Sequence, residues 1–537
     1  MKNLTLGILI WLSFPVYSQL IDNEEFNVSW KPEQKEEKSF YFDKVVAIDT
    51  NQYIVLRRGA ANLKSRGLVN KIKLERYDTD LTKQGSYLID FGKSCKSCDF
   101  QDAIEVNDRL FIFTAQINIK SKKYVLFRQE VDKTTLRPQV RVKIAELEMR
   151  KGISTARMSA IQKYTGQFVF RTSQDKSRLL IQGIKAVDKN EIGQMTAYVF
   201  DEDLELNWSR EIQLPFNSDL FDLKEVRIDE KSNVYFLGKK YFEVKKNYRK
   251  GKPNFNYQLF SYRKNGQEEC VYPIKLDDKF IVDMDLQVSA LGDVFVAGFY
   301  SEEDAALGVA GTYVLKFDGE SNQLVSSTTQ VFDIGFITAH MSAGDERSAR
   351  KKNAKGKSVE LEWLRTTEIV LKEDGGVVLI GEQQYVEVKT MTSGGMSSSY
   401  TKFNFNDIIL INVSKKGEQV WAKSIPKKQR TTDDGGDFSS YGLVVAENKM
   451  FFIYNDHPLN KVPEKNTNIY TFDRSKDSMV RMVVVDTDGN MKRTELFSSR
   501  ETNLLTKPSA AEKISDRKVL LLGQRRKQGG FGVLTLK

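Results

Sequence analysis

Residues 406–425, with the sequence NDIILINVSKKGEQVWAKSI, contain an apolar run, a turn at Gly417 and a second run that opens on Trp421. The first run is rich in isoleucine and valine, which favour strands. Glycine in the polar segment permits the backbone of a tight hairpin. The stretch therefore predicts two neighbouring antiparallel strands of a sheet.

The same pattern of apolar strand, loop, apolar strand and polar turn recurs along the chain. Aligned on the glycine that ends the clearest runs, it occurs at positions 57, 115, 183, 238, 298, 381, 455 and 523, which lie 55 to 83 residues apart. Near-regular spacing of strands and turns is typical of a closed radial array of sheets. We predict an all-β chain that forms a β-propeller of eight four-stranded blades. Seven blades are the alternative if the first or seventh unit is misassigned.

The two ends of the chain complement each other. After about residue 509 the C-terminus supplies only three strands, so the last sheet lacks its outer strand. Residues 24–31 contain Trp30 in a context that resembles the starts of outer strands at Trp208 and Trp421. We therefore predict that the N-terminal strand completes the last blade, which removes the exposed edges of an open array.

The first 18 residues resemble a secretory signal. Lys2 precedes a short apolar run, and Val16, Tyr17 and Ser18 occupy the cleavage region. No later run approaches the ~18 apolar residues of a membrane span. We predict cleavage after about Ser18, export to the periplasm or the outside, and a single β-propeller domain over residues 19–537.

Composition argues against several classes of protein. The formal net charge of +10 is spread along the chain, whereas nucleic-acid binding needs a concentrated basic stripe. Cys95 and Cys98 lie between strand-like segments, which favours a local disulfide over a redox motif at a helix start. Cys270 is expected to be a buried apolar side chain.

Metal and nucleophile motifs are absent from the sequence. His340 and His457 are the only histidines, so three-histidine metal sites and HExxH motifs are excluded. A Ser-His-Asp triad must use one of these two, and we expect His457 to be a loop residue. We predict no metal and no cofactor.

Two segments interrupt the repeat. Residues 336–362 are polar and basic and predict a long, partly helical loop, whereas residues 384–406 predict a hairpin that extends beyond its blade. Long loops on a rigid scaffold often carry function. The candidate binding residues are the aromatic side chains near the base of the hairpin, which we expect to be exposed: Tyr385, Tyr400, Phe403 and Phe405.

With this repeat, the chain resembles bacterial exported β-propeller repeat proteins. The resemblance is carried by residues 407–425 and, more weakly, by residues 197–212 and 312–328. That broad group includes quinone-dependent dehydrogenases, whose blades carry a signature with a threonine, a glycine and a tryptophan. In this chain Gly417 and Trp421 match the glycine and the tryptophan, but the threonine is absent. The resemblance implies an envelope protein that binds a partner or scaffolds an assembly.

Two functions follow as expectations. The first is a non-enzymatic envelope module that binds a protein or a glycan through the inserted loops or one mouth of the propeller. The alternative is a hydrolase or lyase that acts on polysaccharide or peptide, because such chemistry needs only two suitably spaced acids. Asp283 and Asp285, on a predicted innermost strand, are the acids that this alternative names.

Overall fold

The structure of this chain is a computed structural model. It describes residues 19–22, 25–32, 39–60, 68–95, 97–150, 162–188, 191–246, 248–249, 252–276, 278–302, 308–339, 341–393, 396–460, 469–474, 477–525 and 528–537. The predicted signal segment, residues 1–18, and His340 lie outside these ranges.

Strands dominate these ranges, and they form eight sheets of four or more strands. Consecutive strands are hydrogen-bonded neighbours, so each of the first seven sheets is an antiparallel meander. The predicted all-β architecture of four-stranded antiparallel sheets is therefore confirmed.

Sheets 1 to 4 use the first half of the chain. Sheet 1 comprises Phe40–Asp49, Gln52–Gly59, Lys71–Asp78 and Lys83–Asp90. Sheet 2 comprises Cys98–Val106, Arg109–Asn118, Lys123–Val131 and Val142–Glu148. Sheet 3 comprises Gln167–Thr172, Leu179–Ile184, Ile192–Phe200 and Leu206–Asn217. Sheet 4 comprises Phe221–Ile228, Val234–Tyr241, Phe255–Arg263 and Glu268–Ile274.

Sheets 5 to 7 continue the series. Sheet 5 comprises Phe280–Val288, Val294–Ser301, Gly311–Phe317 and Leu324–Val331. Sheet 6 comprises Leu364–Leu371, Val377–Ser393, Met396–Val413 and Gln419–Ile425, with Gln429–Thr432 added beside the third strand. Sheet 7 comprises Gly442–Ala446, Lys449–Asp456, Met479–Val485 and Met491–Ser498.

Sheet 8 combines the two ends of the chain. Leu505–Thr506 and Glu512–Ser515 both pair with Lys518–Arg525, which pairs with Gln528–Leu536. Phe26–Pro32 is antiparallel to Gln528–Leu536, with Trp30 opposite Gly532. Gln19–Asp22 then pairs with Phe26–Pro32 at the edge. The N-terminal strand thus occupies the fourth position of the last sheet.

Eight apolar clusters lie between consecutive sheets. Each is built from the facing sides of two sheets, as Phe113 of sheet 2 and Ile181 of sheet 3 illustrate. Another cluster joins sheet 8 to sheet 1 through Leu520, Phe531, Tyr53 and their neighbours. Because both faces of a sheet are covered, its central strands are continuous apolar runs rather than alternating ones.

The repeated glycine has a packing role in the second strand of its sheet. At Gly238 an added Cβ would lie 2.0 Å from the ring of Phe221, and at Gly298 it would lie 2.0 Å from the backbone oxygen of Asp283. Both contacts are shorter than van der Waals distance, so a side chain would displace the first strand. The glycine therefore lets the first strand pack closely against the second.

The stretch of residues 406–425 forms the end of the third strand and the whole fourth strand of sheet 6. Gly417 closes the turn with a φ of +87°, and its N–H donates to the carbonyl of Ser414 at 2.9 Å. The indole Nε1 of Trp421 donates to the carbonyl of Thr487 in sheet 7 at 3.0 Å. Trp208 of sheet 3 also donates to a turn of the following sheet, but its acceptor is the carbonyl of Ser232, between the first and second strands of sheet 4, at 3.0 Å.

Helices are few and short in the described ranges. They are Phe91–Ser94, Gln162–Thr165, Ile334–Thr338, Ala343–Asn353 and Ser499–Thr502, with single 3₁₀ turns at Ser218–Leu220 and Pro508–Ala510. Two-stranded ladders join Tyr248–Arg249 to Lys252–Pro253 and Gly308–Val309 to Leu361–Glu362. The polar segment 336–362 thus contains helix Ala343–Asn353, capped by Ser342. No helix in the described part of the chain is long and apolar enough to cross a membrane.

Candidate functional site

The second and third strands of sheet 6 continue past the sheet as a two-stranded arm. The arm comprises residues 384–393 and 396–405, and its pairing runs from Gln384 opposite Phe405 to Ser393 opposite Met396. The ladder shifts register between Glu382 and Gln384, where the arm leaves the sheet. A hairpin thus lies where the sequence predicts an insertion.

The base of the arm is held on both sides. On one side, the backbone N–H of Gln384 donates to the carbonyl of Trp363 at 2.9 Å. On the other, Gln429–Thr432 pairs with residues 402–405, and Arg430 Nε donates to Asn404 Oδ1 at 2.9 Å. The backbone N–H of Thr401 donates to Asp433 Oδ1 at 2.7 Å. The arm beyond these bonds pairs only with itself among the described residues.

The four predicted binding residues lie at this base, on opposite faces of the arm. Directly paired residues share a face, so Phe403 and Phe405 lie on one face, and Tyr385 and Tyr400 lie on the other. All four side chains are half-buried, so the prediction that they are exposed is wrong: each is only partly accessible to solvent.

Specific neighbours account for this burial. The ring of Tyr385 packs on Trp363 with centroids 5.6 Å apart. The Lys402 ammonium lies 5.6 Å from the ring centre of Tyr400. On the other face, Gly436 approaches so closely that an added Cβ would lie 3.0 Å from the ring of Phe405. The aromatic side chains therefore fix the base of the arm.

The exposed apolar side chains of the arm are different residues. Val386 is 58% exposed, Val388 is 67% exposed and Met391 is 58% exposed. Val386 and Val388 extend the Phe403 face toward the tip, where Thr390 and Thr392 make side-chain hydrogen bonds to Ser399 and Ser397. Sequence reasoning missed these residues because alternating valines in a strand ordinarily face a core.

A second polar assembly lies where the first strands of neighbouring sheets meet. A cavity of about 510 Å³ is lined by residues from the first strands of sheets 1 to 5 and from the loops that follow them. At its rim Lys44 of sheet 1 pairs with Asp102 of sheet 2 at 2.6 Å. Arg171 of sheet 3 lies 3.4 Å from Glu225 of sheet 4. First strands of five sheets converge here.

We call the adjoining acids Asp283, Asp285 and Glu368 the acid cluster. Arg227 of sheet 4 lies 3.7 Å from Asp285 and donates from Nε to Gln287 Oε1 at 3.2 Å. The backbone N–H of Thr366 in sheet 6 donates to Asp283 Oδ2 at 3.1 Å. The two acids that the sequence analysis named are thus brought into contact with neighbouring sheets.

Burial shifts the titration of these acids. It raises the pKa of Asp285 to about 6, although the charge of Arg227 opposes the shift. Burial also raises the pKa of Asp283 against the charges of Arg365 and Lys224. Glu368 is exposed, yet surrounding protein and the charge of Asp285 raise its pKa. A raised carboxyl pKa is what a general acid needs near neutral pH.

The remaining candidate residues lie apart from both assemblies. His457 stacks on Tyr470 with centroids 5.2 Å apart, and its Nδ1 accepts the backbone N–H of Leu459 at 3.2 Å. It is therefore a loop residue. Cys95 and Cys98 are joined by a disulfide, and Cys270 is half-buried. Within the described ranges, no group of three His, Cys, Asp or Glu side chains is arranged to hold a metal ion.

Comparison with known proteins gives no family for the chain: no family model and no curated protein matches it. Among solved structures, it is similar to the WD40 domain of SCAP from fission yeast, with 8% identity over 97% of this chain and 98% of that chain and a TM-score of 0.41. The β-propeller domain of the Trilobed protease from Pyrococcus furiosus matches with 12% identity, 86% and 98% coverage and a TM-score of 0.34. An oligogalacturonate lyase in complex with manganese matches with 10% identity, 94% and 99% coverage and a TM-score of 0.32. These similarities assign no function to the chain.

Proposed function

We propose that the chain is a non-enzymatic binding module whose arm docks a protein partner after export to the periplasm or the outside. One observation carries the proposal: Val386, Val388 and Met391 are exposed on residues 384–393, which pair only with the other strand of the arm among the described residues. Sheet edges with free backbone groups bind extended peptide segments, and alternate side chains supply specificity.

The apolar character of the arm favours a protein over a glycan. Exposed valine and methionine gain from burial against apolar side chains, at about 25 cal/mol per Å². An isolated two-stranded hairpin is marginally stable in water, so an added strand would also stabilise the arm. The aromatic residues Tyr385 and Phe403 support the arm from its base.

We also propose that the eight sheets are the blades of a closed propeller. Three features support this arrangement: the apolar cluster between sheets 8 and 1, the N-terminal strand in sheet 8, and the cavity shared by five first strands. In a closed propeller the edges of the blades are short and protected. The arm extends beyond its blade, so its own edge is available for pairing in the described part of the chain.

Export is part of the proposal, and the sequence of residues 1–18 supports it. Small exported proteins retain disulfides that the cytoplasm would reduce, and the bond between Cys95 and Cys98 fits an oxidising compartment. N-terminal sequencing of the mature protein would give a start near residue 19. A mature chain that begins at Met1 in the cytoplasm contradicts this part of the proposal.

The binding proposal is tested by capture with a matched pair of variants. In Val386→Thr/Val388→Thr/Met391→Thr the arm keeps its backbone pairing but loses its exposed apolar side chains. Val420→Thr is the control, because Val420 is 59% exposed on a regular strand of the same sheet. Partners captured from envelope extracts are identified and purified, and their affinities for each variant are measured.

We expect the triple variant to weaken binding by at least about tenfold, which corresponds to 1.4 kcal/mol. The control should bind as the unaltered protein does. Equal affinity of all three proteins would refute the role of the arm. Retention that survives protease treatment of the extract and is lost on glycosidase treatment would identify a glycan partner instead.

A second function, hydrolysis or elimination on polysaccharide or peptide, is favoured by the acid cluster. The carboxyl of Asp285, with a pKa of about 6, can donate a proton, and Glu368 is exposed beside it. This function predicts turnover of an oligosaccharide or peptide panel that Asp285→Asn abolishes, with a pH profile that falls above about pH 6. Absence of turnover across the panel by the unaltered protein would reject it.

A further inference from the structure

Residues 386–392 form one edge of the arm, and this edge has no neighbouring strand in the described part of the chain. The chain before sheet 6 accompanies the arm only as far as Trp363, whose carbonyl accepts the N–H of Gln384. Trp363 has a φ of +62°, and the segment before it pairs instead with Gly308–Val309. In the described residues no strand pairs with this edge beyond Gln384.

The backbone groups that face this edge are fixed by strand alternation. Because the N–H of Gln384 points outward, the N–H and C=O groups of Val386, Val388 and Thr390 point outward too. The opposite strand gives the same phase, because both backbone groups of Thr401, directly opposite Val388, bond outward to Asp433. Val388 thus lies at the centre of a row of backbone donors and acceptors that have no partner among the described residues.

The sequence of this edge is complementary to itself. Glu387 and Lys389 flank Val388, so a two-fold axis at Val388 places each glutamate opposite the lysine of a second strand. The exposed valines repeat on the opposite face, where the two copies of Val388 meet. Within one chain Glu387 and Lys389 are 3.8 Å apart at a partly exposed site, so their interaction in the free arm is weak.

We propose that the arm pairs with the arm of a second copy of this chain, antiparallel and centred on Val388. This inference rests on the proposed binding function and names the partner. In the pairing, Val388 opposes its own copy and Val386 opposes Thr390, which together exchange about six backbone hydrogen bonds. Glu387 and Lys389 then form the closely spaced, non-hydrogen-bonded pairs, with Cα atoms about 4.5 Å apart.

Pairing of this kind joins two hairpins into one four-stranded sheet. Four strands are more stable than an isolated hairpin, and both open edges become central. The charge pattern favours a second copy of this chain as the partner. A strand without the order Glu-x-Lys would place a like charge or no charge opposite Glu387 and Lys389, at the closely spaced pairs. Other protein strands remain outcomes of the test.

A proline pair tests the edge directly. Val388→Pro removes an N–H that points outward, so the hairpin ladder keeps its bonds and only the second copy loses them. Ser399→Pro is the matched control, because its N–H points outward from the opposite edge of the same arm. Sedimentation velocity of the full chain should give a dimer that dissociates on dilution.

We expect Val388→Pro to raise the dimer dissociation constant at least about tenfold, because one hydrogen bond from each copy is lost. Ser399→Pro should leave it nearly unchanged. A chain that is monomeric at every concentration, or a dimer equally sensitive to both substitutions, overturns the proposal. Circular dichroism of both variants shows whether the β structure is retained.

Charge reversal supplies a test that does not depend on proline. Glu387→Lys and Lys389→Glu should each weaken self-association, since each places like charges opposite one another. A mixture of these two variants should restore a dimer that contains one copy of each. If the mixture stays monomeric, the register is wrong. Arm-dependent capture of a different protein by a monomeric chain would reject the second copy as partner while leaving the proposed binding function intact.

Discussion

The proposed closure of the ring makes a quantitative prediction for Trp30. This side chain is 2% exposed in the fourth strand of sheet 8 and meets the ring of Phe497 edge-on at 5.4 Å. Its ring lies so close to Gly523 and Gly532 that an added Cβ at either would come within about 3 Å of it. Trp30→Ala therefore opens a cavity, because neither glycine has a side chain that could fill it.

The expected cost follows from that burial. Removing a fully buried tryptophan side chain costs about 3 to 5 kcal/mol in the free energy of unfolding. Trp421 also lies in the fourth strand of its sheet, but it packs toward the following sheet, whereas Trp30 packs toward the preceding one. Trp421 is only half-buried, so Trp421→Ala should cost roughly half as much. Among the described residues, the indole N–H of Trp30 has no hydrogen-bond partner, whereas that of Trp208 does. Trp30→Phe should therefore cost about 1 kcal/mol less than Trp208→Phe.

Hydrogen exchange with mass spectrometry locates the effect, and urea unfolding gives its size. Trp30→Ala should speed exchange first in Gln528–Leu536, with which the N-terminal strand pairs, and then in Lys518–Arg525, the next strand of the sheet. In Trp421→Ala the faster exchange should centre on sheets 6 and 7. If Trp30→Ala unfolds like the unaltered protein and exchange in sheet 8 is unchanged, the N-terminal strand does not hold the ring together.

Three further predictions concern stability. Burial alone would raise the pKa of Glu75, but Arg57 and three hydrogen bonds hold it at about 2. The ionised carboxylate should thus contribute roughly 3 kcal/mol to the free energy of unfolding above pH 4.5, and this contribution should be lost as the pH falls toward 2. The difference in unfolding free energy between the unaltered protein and Glu75→Gln should therefore shrink between pH 4.5 and pH 2. A difference that stays constant over this range contradicts the prediction. Lys427→Met should lower the free energy of unfolding by about 3 to 5 kcal/mol, because the buried Glu382 loses its partner. In a double-mutant cycle, Lys427→Met/Glu382→Met should recover most of this loss. Losses that simply add would refute the coupling between the two residues. Gly417→Ala should destabilise the protein more than the control Gly356→Ala does. Both glycines have a positive φ, but an added Cβ would lie 2.5 Å from Ser326 Oγ at Gly417 and would meet no atom at Gly356. Equal melting temperatures of the two variants would contradict this prediction.

The sheets could be predicted from the sequence because the residues that determine the packing of a sheet lie within one repeat unit. A strand buried on both faces is an apolar run, and in several sheets it carries a glycine where the first strand packs closely against the second, as at Gly238 and Gly298. Each turn is likewise set by residues adjacent in sequence, as at Gly417. Such signals are present within each unit, so one sequence was enough to find them.

The candidate sites were less predictable because they depend on contacts between units. Asp285 gains its raised pKa from burial among strands of other sheets, and its partner Arg227 is far away in the sequence. The sequence predicts that the four aromatic residues of the arm are exposed, but Tyr385 is half-buried against Trp363, and Phe405 is half-buried beside Gly436. No periodicity within residues 384–406 contains that information.

The polar groups beneath the arm explain why an exposed two-stranded element can present a defined edge. Glu382, the residue at which the arm leaves sheet 6, is 1% exposed at its side chain and pairs with fully buried Lys427 at 2.6 Å. Lys427 also donates to Gln429 Oε1 at 3.0 Å, and Gln429 begins the short strand that covers residues 402–405. A buried ion pair adds little net stability over apolar side chains, but it penalises every arrangement that separates its charges. The network therefore fixes the base of the arm in one register, so the phase of the outward-facing backbone groups at Val388 is set by the scaffold. A partner strand then meets an edge whose geometry is already determined, and less ordering entropy is lost on binding.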